Sequence, residues 1–233
     1  SGPLLRAICS LGVSPFLNQM AMFLVQITLN NTLTYYGALS HYGEDIPLAC
    51  VGVISKVNIL MLGFTLGISQ GCQPIFSYNY GARQYSRVRE AYRKAIVAAS
   101  VICCIAFVCF QLFPRPIVAL FDPSGSEEYF QFAERYFRIY MFMTLANAFQ
   151  PITANFFTSI GKAKRGALIA LTRQVIFLIP LILIFPLFLG IDGVMYAGPI
   201  ADSAAVVVAL ALVTREMKRM PHVDEPVAAD TLV

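Results

Sequence analysis

Apolar residues along this chain come in long runs, not in the alternation of a half-buried strand or the single stripe of a surface helix. Six stretches reach the roughly 20 mainly apolar residues that an α-helix needs to cross a bilayer: 15–36, 46–78, 95–113, 130–158, 167–189 and 194–214. One such segment is compatible with a buried soluble helix, but six in a row cannot hide in one small core. The expected fold class is an all-α integral membrane protein, a six-transmembrane-helix bundle over 15–220. A short flank at 1–14 precedes it, and a tail at 221–233 mixes Pro, Ala and acids without period and is expected to be disordered. The second and fourth stretches exceed a bilayer's needs and are expected to tilt or project into water.

Polar residues between the runs set the orientation. One set of flanks holds Arg6, Arg83, Arg87, Arg89, Arg93, Lys94, Lys162, Lys164, Arg165, Arg215, Lys218 and Arg219, twelve of the 17 basic residues. The opposite flanks hold Arg115 among Glu44, Asp45, Asp122, Glu127, Glu128 and Asp192. Basic loops stay cytoplasmic, so both chain ends are expected on the cytoplasmic side of the inner (plasma) membrane. The stretch 82–94 is either an amphipathic helix at the inner headgroups or a solvated loop running into the next helix.

Composition then narrows the classes. Hydrophobic residues make up 58% of the chain and charged ones 13%, against about a quarter charged in a soluble domain. The net charge of +4 would point to nucleic acid only if the basic residues formed a solvent-facing patch. They flank apolar runs instead, so membrane lipid is the expected partner and nucleic acid is not. The six cysteines, Cys9, Cys50, Cys72, Cys103, Cys104 and Cys109, lie in or beside apolar segments with no ligand spacing, and read as small packing residues. No nucleophile–base pair, metal cluster or nucleotide-binding loop is visible, His41 and His222 carry weak signals, and enzymatic chemistry is not expected. The chain opens Ser1-Gly2-Pro3 without a leader pattern, so no signal peptide is expected, and the start reads as that of a processed or partial chain.

One run stands out: Gly71-Cys72-Gln73-Pro74-Ile75-Phe76-Ser77-Tyr78-Asn79-Tyr80-Gly81-Ala82-Arg83, with Arg87-Val88 close behind. It resembles the signature of the multidrug and toxic compound extrusion (MATE) family, at the cytoplasmic end of the second helix of that family's C-terminal bundle. The stretches 156–165, 171–180 and 198–202 are similar to the same family, the last two most of all to its bacterial MepA-like branch. The resemblance implies two six-helix bundles related by pseudo-symmetry, with this chain as the C-terminal one and the N-terminal six-helix bundle as its missing partner. It also implies export of cationic, amphipathic small-molecule drugs by alternating access, with Na⁺ or H⁺ as coupling ion and no cofactor. A lipid-linked oligosaccharide flippase of the same superfamily is the alternative within transport. A non-transporting assembly or receptor module is the alternative outside it.

Elementary chemistry picks out the same residues. Pro74 removes a helix donor and frees a carbonyl one turn earlier, and Gln73 is placed to satisfy that group or to bond a neighbouring helix. Gly81 suits a helix end with positive φ, and Gln150-Pro151-Ile152 followed by Gly161 repeats the device on the fourth stretch. Ionisable groups at membrane depth cost about 2.5–3.5 kcal/mol each and seek a partner or a cavity. Lys56, Arg138, Arg173 and Asp202 are the candidates. Lys56 and Asp202 lie at similar depth and are expected to share a polar interior, Arg138 to pair with Glu134, and Arg173 to reach freed carbonyls or inner headgroups. Gln19, Gln26 and Asn30 form one stripe on the first helix, and Tyr140, Thr144, Asn147 and Gln150 another on the fourth. Either stripe fits a cavity wall or interhelical glue. Met20, Met22, Phe23, Met61, Phe64, Met141, Phe142, Met143, Phe149 and Met195 offer an adaptable apolar wall.

Overall fold

The computed structural model describes residues 2–123, 125–221 and 224, with the side chains of 2–15, 17 and 147 outside that description. Among the described residues the chain is helical and runs in six columns. These are α1 (Gly2–Ala38), α2 (Asp45–Gly81) and α3 (Tyr85–Leu112); then, after the short α4 (Pro114–Ala119), a fourth made of α5 (Glu127–Tyr140), a 3₁₀ turn (Met141–Met143) and α6 (Ala146–Ser159). The fifth joins α7 (Ala163–Leu171), a π-helical stretch (Thr172–Leu178) and α8 (Ile179–Leu189), and α9 (Ile191–Arg219) is the sixth. Asp45–Gly81, Tyr85–Leu112, Ala163–Leu189 and Ile191–Arg219 are each long and apolar enough to cross a membrane. The stretch 82–94 is no separate interfacial helix: α3 starts at Tyr85 and continues through it.

Two columns depart from a plain helix, and local chemistry says why. The fourth breaks after Tyr140, where a single helix over 130–158 was expected. Pro151 has no amide for the carbonyl of residue 147, inside α6 and past the break; at the break itself the Thr144 hydroxyl donates to the Met141 carbonyl at 2.5 Å, competing with the backbone ladder. The tighter bond from the Thr144 amide to the Met141 carbonyl closes the turn at 3.1 Å. In the fifth column Pro180 withholds its amide in the same way. The i→i+5 turns just before it absorb the misfit, with the Ile179 amide reaching the Gln174 carbonyl.

Packing centres on α2 and α9. Along α2, Cys50, Val53, Ile54, Val57, Met61, Thr65, Ser69 and Phe76 are buried at helical spacing, so one face meets α3, α5 and α6. Along α9 the buried face is small: Gly193, Ala197, Gly198, Ala201, Ala205 and Ala209. Small residues let helices approach closely where lipid offers no hydrophobic drive for association. A Cβ on Gly193 would lie 2.5 Å from the Phe185 carbonyl carbon, so α8 and α9 meet there backbone to backbone. Toward the basic end, Phe76, Tyr92 and Phe156 stack at 5.0–6.4 Å between centroids, and the Tyr92 hydroxyl meets Thr153 Oγ1 at 2.8 Å. Large apolar side chains also point outward, Phe188 at 81% and Leu120 at 82% exposed, a surface suited to lipid and not to water.

Both signature segments end in the same cap. After α2, the Arg83 amide bonds the Tyr80 carbonyl and the Gln84 amide the Asn79 carbonyl; after α6, Gly161 bonds Thr158 and Lys162 bonds Phe157. Each pair is a Schellman motif, which needs a left-handed residue two positions past the last helical one. Gly161 supplies it at φ +78, as expected. At the other exit it is Arg83, at φ +56, and not Gly81, which is the last residue of α2.

Candidate functional site

A charged centre is buried where the fourth, fifth and sixth columns meet. Arg173 Nε donates to Asp202 Oδ1, and the Tyr140 hydroxyl accepts from the same guanidinium. The Arg173 and Asp202 side chains are 14% and 10% exposed, which makes this a buried pair. Three backbone features place the triad. The π-helical stretch shifts the register of the fifth column and turns Arg173 inward. Tyr140 is the last residue of α5, so its ring stands at the break of the fourth column, facing α9. Gly198, one turn before Asp202, opens the notch the ring fills, since a Cβ there would sit 2.7 Å from it. At a rise of about 1.5 Å per residue, Asp202 lies ~17 Å from the start of α9, near mid-membrane.

Burying two charges repays its desolvation only with good geometry and further hydrogen bonds. Here the guanidinium satisfies a carboxylate and a phenol together. Above the triad, toward the acidic end, Tyr136 is 1% and Tyr129 4% exposed. Neither hydroxyl has a hydrogen-bond partner among the described residues. Sequence reasoning passed over both tyrosines, although they share the helical face of Tyr140 at i, i+7 and i+11 of α5.

The expected meeting of Lys56 and Asp202 does not occur. Asp202 is held by Arg173, while Lys56 is exposed on the far side of α2 from its buried face. Arg173 therefore neither snorkels nor serves freed carbonyls. Glu134 faces Arg115 at 3.6 Å, and Arg138 is exposed, its carbonyl accepting from Gln111 at 3.0 Å. On α1, Gln19 and Gln26 are exposed and Asn30 is half-buried, with Gln26 donating to Asn30 at 3.0 Å. Gln150 donates to the Ile169 carbonyl at 3.3 Å and ties α6 to α7. The Asn147 side chain lies outside the described residues. In the signature run Gln73, Pro74, Gly81 and Arg83 are exposed, Tyr78 is 71% exposed and Ala82 is half-buried. Asn79 is buried and donates to the Ile75 carbonyl at 2.8 Å, bracing the helix end. The apolar wall divides. Met20, Met22, Phe23, Phe64 and Phe142 are exposed, Met143 and Phe149 are half-buried, and Met61, Met141 and Met195 are core residues.

At the basic end, Glu216 is 1% exposed and is clamped by Lys162 and Arg165. Arg89 donates to the Met220 and Pro221 carbonyls at 2.9 and 2.7 Å. Asp224 accepts from the Ser86 amide at 2.9 Å and from its hydroxyl, capping the start of α3. Those bonds, the hydroxyl's first, hold the Asp224 carboxyl below its ordinary value. Two residues of the tail expected to be disordered, Pro221 and Asp224, are thus docked; the others, and His222 with them, lie outside the described residues. A cavity of about 380 Å³ opens beside this end between α2 and α3, with Ile68, Cys72 and Ile75 on one wall and Arg87, Glu90 and Lys94 on the other.

Comparison with known proteins follows the same outline. The MatE family model matches residues 19–184. The multidrug export protein MepA of Staphylococcus aureus (strain bovine RF122 / ET3-1) is 23% identical over 212 residues, 90% of this chain and 44% of that protein. MepA of Staphylococcus haemolyticus (strain JCSC1435) is likewise 23% identical over 212 residues. A MATE family transporter solved facing outward superposes with a TM-score of 0.82 at 20% identity, covering 94% of this chain and 48% of that one. An inward-facing structure of such a transporter gives 0.84 at 20% identity, covering 94% and 49%. The chain therefore spans about half the length of the curated relatives it matches, and its fold is one half of a two-bundle, multi-pass membrane transporter.

Proposed function

This chain belongs to the MatE family, and we propose that it is the second bundle of a cation-coupled exporter of cationic, amphipathic compounds, with the first bundle as its partner. The observation that carries this reading is the Arg173–Asp202–Tyr140 centre. A passive scaffold gains nothing from charges sunk to mid-membrane, whereas a coupled transporter needs a group there whose charge state can change. The exposed amides Gln19 and Gln26 and the exposed Lys56 support it further. Polar groups at that depth do not face acyl chains, so they line a cavity that the other bundle closes. Met20, Met22, Phe23 and Phe64, exposed on the same two helices, give that cavity deformable apolar surface for varied drugs. The bundle fits outward- and inward-facing relatives about equally, as expected of a body that rocks without refolding in alternating access. The basic loops support a reading in which both ends of the chain face the cytoplasm and the membrane is the inner one.

The test is ethidium accumulation in bacterial cells without their own exporters that express the full-length protein. Wild type should lower steady-state ethidium several-fold, and Asp202→Asn should abolish the difference at equal membrane expression. Accumulation equal to that of empty cells in the wild type would sink the reading.

A further inference from the structure

Deep in the bundle, hydroxyls line up between the acidic end and the charged centre. Tyr129, Tyr136 and Tyr140 share one face of the fourth column. Tyr129 and Tyr136 are almost wholly buried, yet neither hydroxyl has a partner among the described residues. Buried polar groups left without protein partners are the usual sites of internal water, and such water typically makes about three hydrogen bonds. Cys50 on α2 sits between the two tyrosines: its sulfur is 3.8 Å from the Tyr129 carbonyl, and it lies within electrostatic reach of both rings' hydroxyls. The Tyr136 and Tyr140 rings are 5.8 Å apart, and Tyr140 bonds the guanidinium that holds Asp202. At the other extreme, Asp122 lies within the same reach of Tyr129 and Cys50. The order is thus Asp122, Tyr129, Cys50, Tyr136, Tyr140, then Arg173 with Asp202.

We propose that Tyr129, Tyr136 and Tyr140, bridged by water, form a proton relay from the Asp122 end of the bundle to Asp202. The inference rests on the proposed function, adding H⁺ as the coupling ion and taking the Asp122 end as the outer face. In each passage one proton enters from outer water. Each hydroxyl oxygen accepts a proton from behind and releases its own ahead, and one O–H bond forms on the Asp202 carboxylate. The ion pair with Arg173 breaks, while Arg173 keeps its charge and its bond to the Tyr140 oxygen. Asp202 alone ends the passage in a new protonation state, and the reverse steps restore it. The groups that face the acceptor are Arg173 from the π-helical stretch and Tyr140 from the fourth column; Tyr136 faces Cys50 and Tyr140, and Tyr129 faces Cys50 and Asp122.

The experiment uses the full-length protein, reconstituted in one orientation in liposomes and acidified stepwise from the outside. Infrared difference spectra should show a protonated-carboxyl band that Asp202→Asn removes. Tyr136→Phe and Tyr129→Phe keep the rings, so the band should reach the same amplitude but rise at least tenfold more slowly. Wild-type rise times in both variants would overturn the relay, as would a band that appears only on acidification of the inner side, or no band that depends on Asp202. Equal final amplitude separates a slowed relay from a misfolded bundle. Ethidium efflux from the same vesicles reads the proposed function separately. Sided protonation without efflux sinks export and keeps the relay; efflux with wild-type rise times sinks the relay alone.

Discussion

Replacing Arg173 by Met, Asp202 by Leu, and then both, isolates what the buried pair contributes. At the surface such a pair would be worth about 0–1 kcal/mol. Side-chain exposures of 14% and 10% place this one at the buried limit instead, where removing one partner strands a charge and costs about 3–5 kcal/mol. Each single substitution should therefore destabilise the full-length protein by roughly that much. The double variant exchanges the pair for apolar side chains of similar volume, a change that is often neutral or stabilising by about 1–4 kcal/mol. Orphaning the Tyr140 hydroxyl takes back about 1 kcal/mol of that. The coupling energy should thus exceed about 3 kcal/mol, more than a hundredfold in the folding equilibrium. Reversible unfolding in mixed micelles measures all four corners of the cycle. A double variant that loses the sum of both singles would refute the argument, because it would show that neither charge depends on the other.

Gly193→Ala should lower stability by about 1–3 kcal/mol, read as a lower Tm, because the added methyl meets Phe185 backbone at 2.5 Å, outweighing the roughly 1 kcal/mol that Ala gains in a helix. Glu216→Gln should cost about 1–3 kcal/mol in the same assay, since it leaves Lys162 and Arg165 facing each other across a neutral, buried group. The Asp224 cap carries a pH signature: its carboxyl is held below the ordinary value of 3.8, so its contribution is complete above that value and disappears as pH falls through the lower folded value. Amide exchange at Tyr85 and Ser86 should accelerate only in that acid range in the wild type, and already at neutral pH in Asp224→Asn.

What could be read in the residues themselves divides along physical lines. The columns were legible because a bilayer imposes length and apolarity directly on sequence, and each expected stretch overlaps one observed column, the third running one residue past α3 to Phe113. Asp202 was legible as a buried acid for the same reason, since cost depends on depth and depth follows from counting. Its partner was not. Pairing depends on which way a side chain faces, and the π-helical stretch before Pro180 shifts the facing of Arg173 away from a 3.6-residue count. Lys56 was the better guess by depth alone, but the buried run Cys50–Val53–Val57–Met61 leaves it on the opposite side of α2, a signal that was present in the spacing. The left-handed exit residue was misplaced at Gly81 because glycine is the usual marker, while the Schellman bonds fix the position by geometry at Arg83. Tyr129 and Tyr136 looked like ordinary aromatic core, and only packing against α2 shows their hydroxyls to be orphaned.

The most direct test of the account is gradient-driven ethidium transport by the purified full-length protein in sealed proteoliposomes. Imposing a proton or sodium gradient should drive ethidium against its concentration, collapsing that gradient with an ionophore should stop it, and Asp202→Asn should not respond to the gradient at all. Ethidium movement that ignores both gradients, or an Asp202→Asn protein that responds like wild type, would contradict it.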